Sequence, residues 1–549
     1  MKILVRCFLL LLAVPCFSQQ VYWVSFTEKG SEYSVIRPAE FLSGKAIARR
    51  QKYRIPVTVA DLPIHTAYIE KLEGMGYTVL SRSKWLNAVA VKVPRKNDAD
   101  SLRMLPFVKE VLYLGDHRPV RASREPQGDI NEMLTVLGSK FDQKKQKDSV
   151  FYGKTSAQVT MLNVQELHNL GYMGQSIAVA VIDAGFHQVH RLPVFRHLLD
   201  SGRIRTTVDF VQRDSNVYDD DDHGMSVLSC MAGFMPYEFV GTAPFADYYL
   251  LRSEYSTTEM PVEETFWVEA AEYADSCGVD IINSSLGYNE FDQWELNHTH
   301  RDLNGSRTII SKGAAIAVSK GIIVVNSAGN EGNDEWGLIS VPADVEEVIT
   351  VGGVDAARKY ALFSSTGPTA DKRIKPDIMA QGDNTWVASS HGVFYQGDGT
   401  SYACPVMTGA VACLLQANYN SGSEEIRHVL QQSGDRYYQP DKYFGYGVPD
   451  VYLAHRMLQS MEAGEETLID GRVLYDGMVH ITCYTPVAGK IAITIMDEQD
   501  NQVYTGSVTL KHKGTSRVKL PKSNKLKKGR YTLQVMSGKK TNTTTFNHY

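Results

Sequence analysis

Three short segments hold the residue types that acyl transfer needs, in the order carboxylate, imidazole, hydroxyl: Val181-Ile182-Asp183-Ala184-Gly185, Asp222-His223-Gly224 and Gly399-Thr400-Ser401-Tyr402-Ala403. An alcohol is a poor nucleophile at neutral pH. It needs an imidazole to take its proton and a carboxylate to orient that imidazole. Asp183, His223 and Ser401 offer these groups. A fourth segment offers an amide, where the apolar run Ile322-Ile323-Val324-Val325 leads into Asn326-Ser327-Ala328-Gly329-Asn330-Glu331-Gly332. Attack on a carbonyl builds negative charge on its oxygen; the Asn330 side chain is a donor for that charge, with a backbone N–H near Ser401 as the second.

Chain order separates the known solutions. Chymotrypsin-like enzymes run His-Asp-Ser, α/β-hydrolases Ser-Asp-His, and subtilisins Asp-His-Ser, and only the last order fits. The serine also lacks a Gly-x-Ser-x-Gly elbow, since Ala403 stands where the second glycine belongs. Ser285-Leu286-Gly287 and Lys375-Pro376-Asp377-Ile378-Met379-Ala380 fall in the expected order as well. Over the stretch from about 160 to about 455 the chain therefore resembles the subtilisin-like serine peptidases, the subtilase family. The resemblance implies an endopeptidase acting on protein or peptide substrates, with no cofactor required for catalysis. It implies that substrate backbone pairs beside Ser285, Leu286 and Gly287, and that the S1 walls include these residues and Ser327, Ala328 and Gly329. The small residues leave room for a bulky apolar P1 side chain, while Glu331 near the rim could admit a basic one; both readings stay open. Met225 stands where the family usually has threonine, and Ala184 where it usually has serine or threonine. Neither position carries a proton transfer. The competing reading from another class is a catalytically silent surface binding protein on the same scaffold.

The elements that must position these groups read as α/β. Ile177–Ile182, Val279–Ile282, Ile322–Val325 and Val348–Val351 are nearly continuous apolar runs, the mark of parallel strands covered on both faces. Val262–Ser276 fits a helix with Phe266, Ala270 and Tyr273 on one stripe. The expected fold is a three-layer subtilisin-like parallel sheet. Asp183 and Asn330 follow strands, at the carboxyl ends where open α/β sheets keep their sites. His223 and Ser401 begin helices, and a nucleophile at a helix N-terminus has aligned N–H dipoles beside its developing oxyanion.

A chain of 549 residues is too long for one unit. Residues 1–18 read as a signal peptide: Lys2 and Arg6 precede an apolar run too short to span a bilayer. This places the protein as secreted or extracytoplasmic, in the periplasm or at the cell surface, and no later segment is a transmembrane candidate. Residues 19–120 carry strands at 21–26, 88–93 and 110–113 and helices starting near Ile64 and Ala99, a small α+β unit. By position it resembles the subtilase propeptide, which implies an intramolecular inhibitor. Residues 121–155 read as a polar, cleavable linker, 156–461 as the catalytic domain, and 467–549, with period-two strands, as an all-β sandwich with an accessory or sorting role. The last 84 residues hold 13 Lys and Arg against 6 Asp and Glu, a basic face suited either to solvent or to contact with the cell surface or export machinery. The net charge of -5 implies no nucleic-acid partner.

Seven cysteines, two of them in the signal sequence, leave an odd and sparse set that is no disulfide framework; Cys404 and Cys413 read as small buried residues. His187, His190 and His197 read as a solvated loop rather than a metal cluster. Asp219 to Asp222 raise structural Ca²⁺ as an alternative, but a charge run without ligand spacing is read as a solvated turn, and no metal site is assigned.

Overall fold

Seven parallel strands form the central sheet, in the order Ile378–Gln381, Ile349–Val354, Ile323–Ser327, Ile281–Ser284, Ala178–Asp183, Asp247–Arg252 and Ile204–Asp209. The computed structural model describes residues 19–94, 98–117, 148–464, 467–473, 477–510, 514–537 and 540–548. The signal sequence read at 1–18 and all of the linker before residue 148 lie outside these residues.

Strand Ala178–Asp183 shows why the apolar runs are continuous. Val179 and Val181 enter the core under helices His223–Ala232 and Thr400–Ala417. Ala180 and Ile182 enter the opposite core, with Phe266 and Trp267 of helix Val262–Cys277 and Ile310 of helix Ile309–Ser319. A strand buried on both faces has no position for a polar alternation. The result is the expected three-layer α/β sheet.

The N-terminal unit is a four-stranded antiparallel sheet, ordered Thr78–Ser83, Ala88–Val93, Gln19–Phe26 and Val108–His117. Tyr22, Val24, Val89 and Val91 bury one face against Ile69, Leu72 and Leu102 of helices Thr66–Gly74 and Asp98–Arg103. Val21, Trp23, Ala90 and Leu114 on the other face share a core with Phe266 and Trp267 of the catalytic unit. An additional helix, Gly44–Lys52, starts at Ser43, whose hydroxyl accepts from the Ala46 N–H at 3.1 Å.

Phe151, Tyr152 and Thr155, in the stretch read as the linker, are packed into the catalytic unit. Tyr152 is 2% exposed and its hydroxyl meets Nδ1 of His168 at 2.8 Å. The polar residues just before it hid an aromatic anchor. Beyond helix Val451–Ala463, two antiparallel sheets of three and four strands close over Ile481, Ile493, Leu533 and Val535. The strand read at 531–535 is followed by another, Lys540–His548, whose threonine-rich sequence lacks an apolar alternation. Among the described residues no helix is long and apolar enough to cross a membrane.

Candidate active site

Asp183 closes its strand and is fully buried. Its Oδ1 accepts the Ala184 N–H at 2.8 Å and lies 2.7 Å from Nδ1 of His223, the first residue of helix His223–Ala232. The contact is close because residue 224 is glycine: a Cβ there would stand 2.5 Å from the Gly185 oxygen and 2.8 Å from Cβ of Asp183. Burial lowers the pKa of His223, but the charge and hydrogen bond of Asp183, with Asp221 and Asp222 beside it, outweigh burial and hold it up at about 9.

Ser401 is the second residue of helix Thr400–Ala417 and is 8% exposed. Its Oγ donates to the Ser285 carbonyl at 3.3 Å, and the Ser285 hydroxyl donates back to the Ser401 carbonyl at 2.9 Å. In this resting arrangement the hydroxyl is turned to Ser285 rather than to His223. Gly399, which precedes the helix, has no side chain to cap it. The Asn330 Oδ1 does so, accepting from the Thr400 N–H at 2.8 Å and the Thr400 hydroxyl at 3.0 Å. A backbone N–H can donate only to the amide oxygen, so the orientation of Asn330 is fixed and its Nδ2 is the end left over. The Tyr402 and Ala403 N–H groups both donate to the Gly399 carbonyl, while among the described residues that of Ser401 has no such acceptor. The structure thus brings Asp183, His223, Ser401 and Asn330 to one rim, at the carboxyl ends of the strands.

The expected substrate-binding segments flank that rim. Ser285 is buried, Leu286 half-buried and Gly287 exposed. Ser327, Ala328 and Gly329 are buried, with Gly329 tied to Thr400 in both directions. Glu331 turns its carboxylate onto the hydroxyls of Ser340 and Ser365, at 3.3 and 2.8 Å.

Sequence reasoning missed the bracket that joins the acid and base segments. Buried Arg252 donates to Asp209 at 2.6 Å, pairs with Asp220 at 3.2 Å, and holds the Ala184 carbonyl at 3.0 Å. One guanidinium therefore fixes both the residue after Asp183 and the loop leading into His223. Its signal was an arginine ending a buried strand, without a visible partner in the sequence. The carboxylates read as a solvated turn are all engaged: Asp219 with Asn216, Asp220 with Arg252, Asp221 with the His223 N–H, and Asp222 with Ser390. The histidines read as a solvated loop are half-buried: His190 packs on Tyr218 and His197 on Phe234, because their rings fill aromatic gaps. Cys404 and Cys413 are buried thiols, as expected. Among the described residues the one group of side chains close enough to share an ion is Glu254, Glu259 and Glu263.

A buried carboxylate with an imidazole on it, and a helix-terminal serine beside a tied-back amide, are groups that a serine hydrolase requires. Comparison with known proteins gives the family. Residues 174–447 match the subtilase family model, and residues 21–129 match the peptidase S8 propeptide domain of Bacteroidota. Subtilisin E of Bacillus subtilis (strain 168) is 28% identical over 309 residues, 56% of this chain and 71% of that protein. Subtilisin of Bacillus pumilus is 28% identical over 309 residues and is covered to 98%. The membrane-bound transcription factor site-1 protease of Rattus norvegicus is 29% identical over 310 residues, 27% of its length. This chain belongs to the subtilase family and is a serine-type endopeptidase carrying a propeptide domain.

Proposed function

We propose that the protein is a secreted serine endopeptidase made as a preproenzyme, which hydrolyses protein or peptide substrates through Asp183, His223 and Ser401. The observation that carries this reading is the Asp183–His223 pair at 2.7 Å, set on the same rim as Ser401 and an Asn330 whose amide oxygen is already engaged. Ser401 leaves the Ser285 carbonyl, gives its proton to Nε2 of His223 and attacks the scissile carbon. Asp183 stabilises the imidazolium. The oxyanion takes the Nδ2–H of Asn330 and the N–H of Ser401. His223 then protonates the departing amine, leaving an acyl-enzyme. Water, deprotonated by the same imidazole, cleaves that ester and restores Ser401.

Extended substrate lies along Ser285, Leu286 and Gly287, where main-chain pairing supplies affinity, and its P1 side chain enters between these residues and Ser327, Ala328 and Gly329. Residues 1–18 direct export. The unit at 19–120 is an inhibitor joined to the enzyme by a linker that is cut during maturation, and the sandwich at 467–549 serves anchoring or export. A fluorophosphonate probe tests the reading directly, because it reports an activated serine whatever the substrate. The wild-type protein should label, and Ser401→Ala should not, with kcat on a peptide substrate reduced about 10⁴-fold or more. Labelling of Ser401→Ala, or near-normal turnover by it, would place the nucleophile elsewhere.

A further inference from the structure

Helix Gly44–Lys52 grips the catalytic unit on the edge of the sheet opposite the cleft. Val279, Asp280 and Lys320 lie just before strands Ile281–Ser284 and Ile323–Ser327, at their N-terminal ends. Helix Val262–Cys277 ends beside them, with the negative end of its dipole but no basic residue in its own last turn. The missing cations come from the N-terminal unit. Arg49 donates to the Asp275 carboxylate at 2.5 Å, to the Asp275 carbonyl and the Lys320 carbonyl at 3.2 Å each, and to the Val279 carbonyl. Arg50 places Nη2 on both oxygens of the same carboxylate, at 2.7 and 3.0 Å. It also reaches Asp61, which Lys320 meets from the catalytic side at 2.9 Å. Asp275 is 0% exposed and Arg50 2%. The fit extends to the backbone: Gly278, at φ +84°, is so close that a Cβ would stand 2.6 Å from the Ala46 nitrogen.

The contact is far from the chemistry. The Tyr53 hydroxyl donates to the Ser421 carbonyl at 2.8 Å, and Lys52 reaches the Tyr419 carbonyl, both just past the C-terminal end of helix Thr400–Ala417. Ser401 is at the other end of that 18-residue helix, about 27 Å away at 1.5 Å per residue.

We propose that this is a second binding site of the peptidase, for a helix presenting two adjacent arginines, and that it holds the N-terminal unit in place after the chain is cut between residues 117 and 148. The inference rests on the reading of 19–120 as a propeptide. Substrate competes only for the cleft and does not displace a unit held at the far edge. The forked guanidinium is the feature recognised, because a lysine cannot serve one carboxylate and several carbonyls in fixed directions.

The full-length precursor and its Arg49→Ala/Arg50→Ala variant are left to self-cleave, then run on size exclusion at decreasing concentration while activity on a short chromogenic peptide is followed. The wild-type fragment should co-elute with the enzyme and impose a lag. In the variant, truncating both partners of a buried carboxylate should raise the dissociation constant about 100-fold and shorten the lag about tenfold, with the final kcat unchanged. Arg49→Lys/Arg50→Lys, which keeps charge without the fork, should fall between them and replaces the alanine variant if that fails to fold. Asp275→Asn should weaken retention from the enzyme side. Retention and lag equal to wild type in these variants would overturn the second site while leaving the propeptide reading intact. A wild-type chain that is never cut between 117 and 148, or whose cut fragment never inhibits, would remove both.

Discussion

Asn330 is made a one-ended donor by Thr400, since the amide oxygen is held by the first N–H and the first hydroxyl of the serine helix. Removing the amide should cost the transition state alone: Asn330→Ala is expected to lower kcat by about 10²–10³ with little change in KM. A raised KM at constant kcat would make Asn330 a binding residue instead. On the proposed mechanism His223 sets the pH profile. A general base must be neutral, and with its pKa near 9 the kcat/KM should climb about tenfold per pH unit below that value and level above it. Asp221 and Asp222 favour the imidazolium, so Asp221→Asn or Asp222→Asn should move the midpoint downward; a midpoint that stays put would show that these charges do not reach the ring. Asp183, His223, Ser401 and Asn330 could be picked out as candidates because their types suit the chemistry and each sits within a short segment. Thr400 and Arg252 were not, because what they do depends on contacts to residues 70 and 43 positions away.

Among the elements, the four strands read from apolar runs are the four adjacent ones in the middle of the sheet, and the three missed lie outside them. Ile204–Asp209 is half-exposed at one edge, and Asp247–Arg252 begins and ends on charged residues that its neighbours satisfy. Helix Gly44–Lys52 was missed for the opposite reason: its arginines look solvated in sequence and are buried by a partner surface more than 200 residues away. The same interface contains a titrating group. Glu272 accepts from the Ser83 hydroxyl and from the N–H groups of Lys84 and Trp85, and burial pushes its carboxyl up to about 7 against the pull of Lys84. Uncovered, it returns toward the ordinary glutamate range, about 4.3. Docking of the N-terminal unit therefore takes up a proton between those values, and binding should weaken as pH rises through that window, by at most about tenfold per unit. The dissociation constant of the cleaved fragment, measured from pH 5 to 8, checks this. Glu272→Gln should flatten the dependence, and tighter binding at pH 8 than at pH 5 would contradict it.

On the scale of the whole molecule, the precursor stores carboxylates that prefer to stay protonated. Ligand oxygens of Glu254, Glu259 and Glu263 lie within 4.8 Å of one another, close to the end of strand Val108–His117, where the Asp116 N–H donates to Gln293. Burial comes first: it raises Glu254 to about 7, with the charge of Asp183 adding to it, and Glu259 to about 8, where the charges of Glu254 and Asp292 add to it; Glu263 is pushed well above its ordinary value by burial and by Glu254 and Glu259. In the unfolded chain these groups ionise near 4.3. The folded state thus binds more protons between that pH and about 8, so its stability is full at the acid end and falls as pH rises across the window. His223 acts in the same direction: its folded pKa of about 9 lies above the unfolded value, so its contribution is present below pH 6.5 and lost on passing pH 9. Denaturant unfolding of the Ser401→Ala precursor, which cannot digest itself, should show a midpoint that drops from pH 5 to pH 8. In Glu259→Gln, where one member of the group no longer ionises, the drop should be smaller while the midpoint at pH 5 stays near that of the parent. A midpoint that rises toward pH 8, or a variant with the parent's full slope, would mean that the three carboxylates are ionised and compensated in the folded protein.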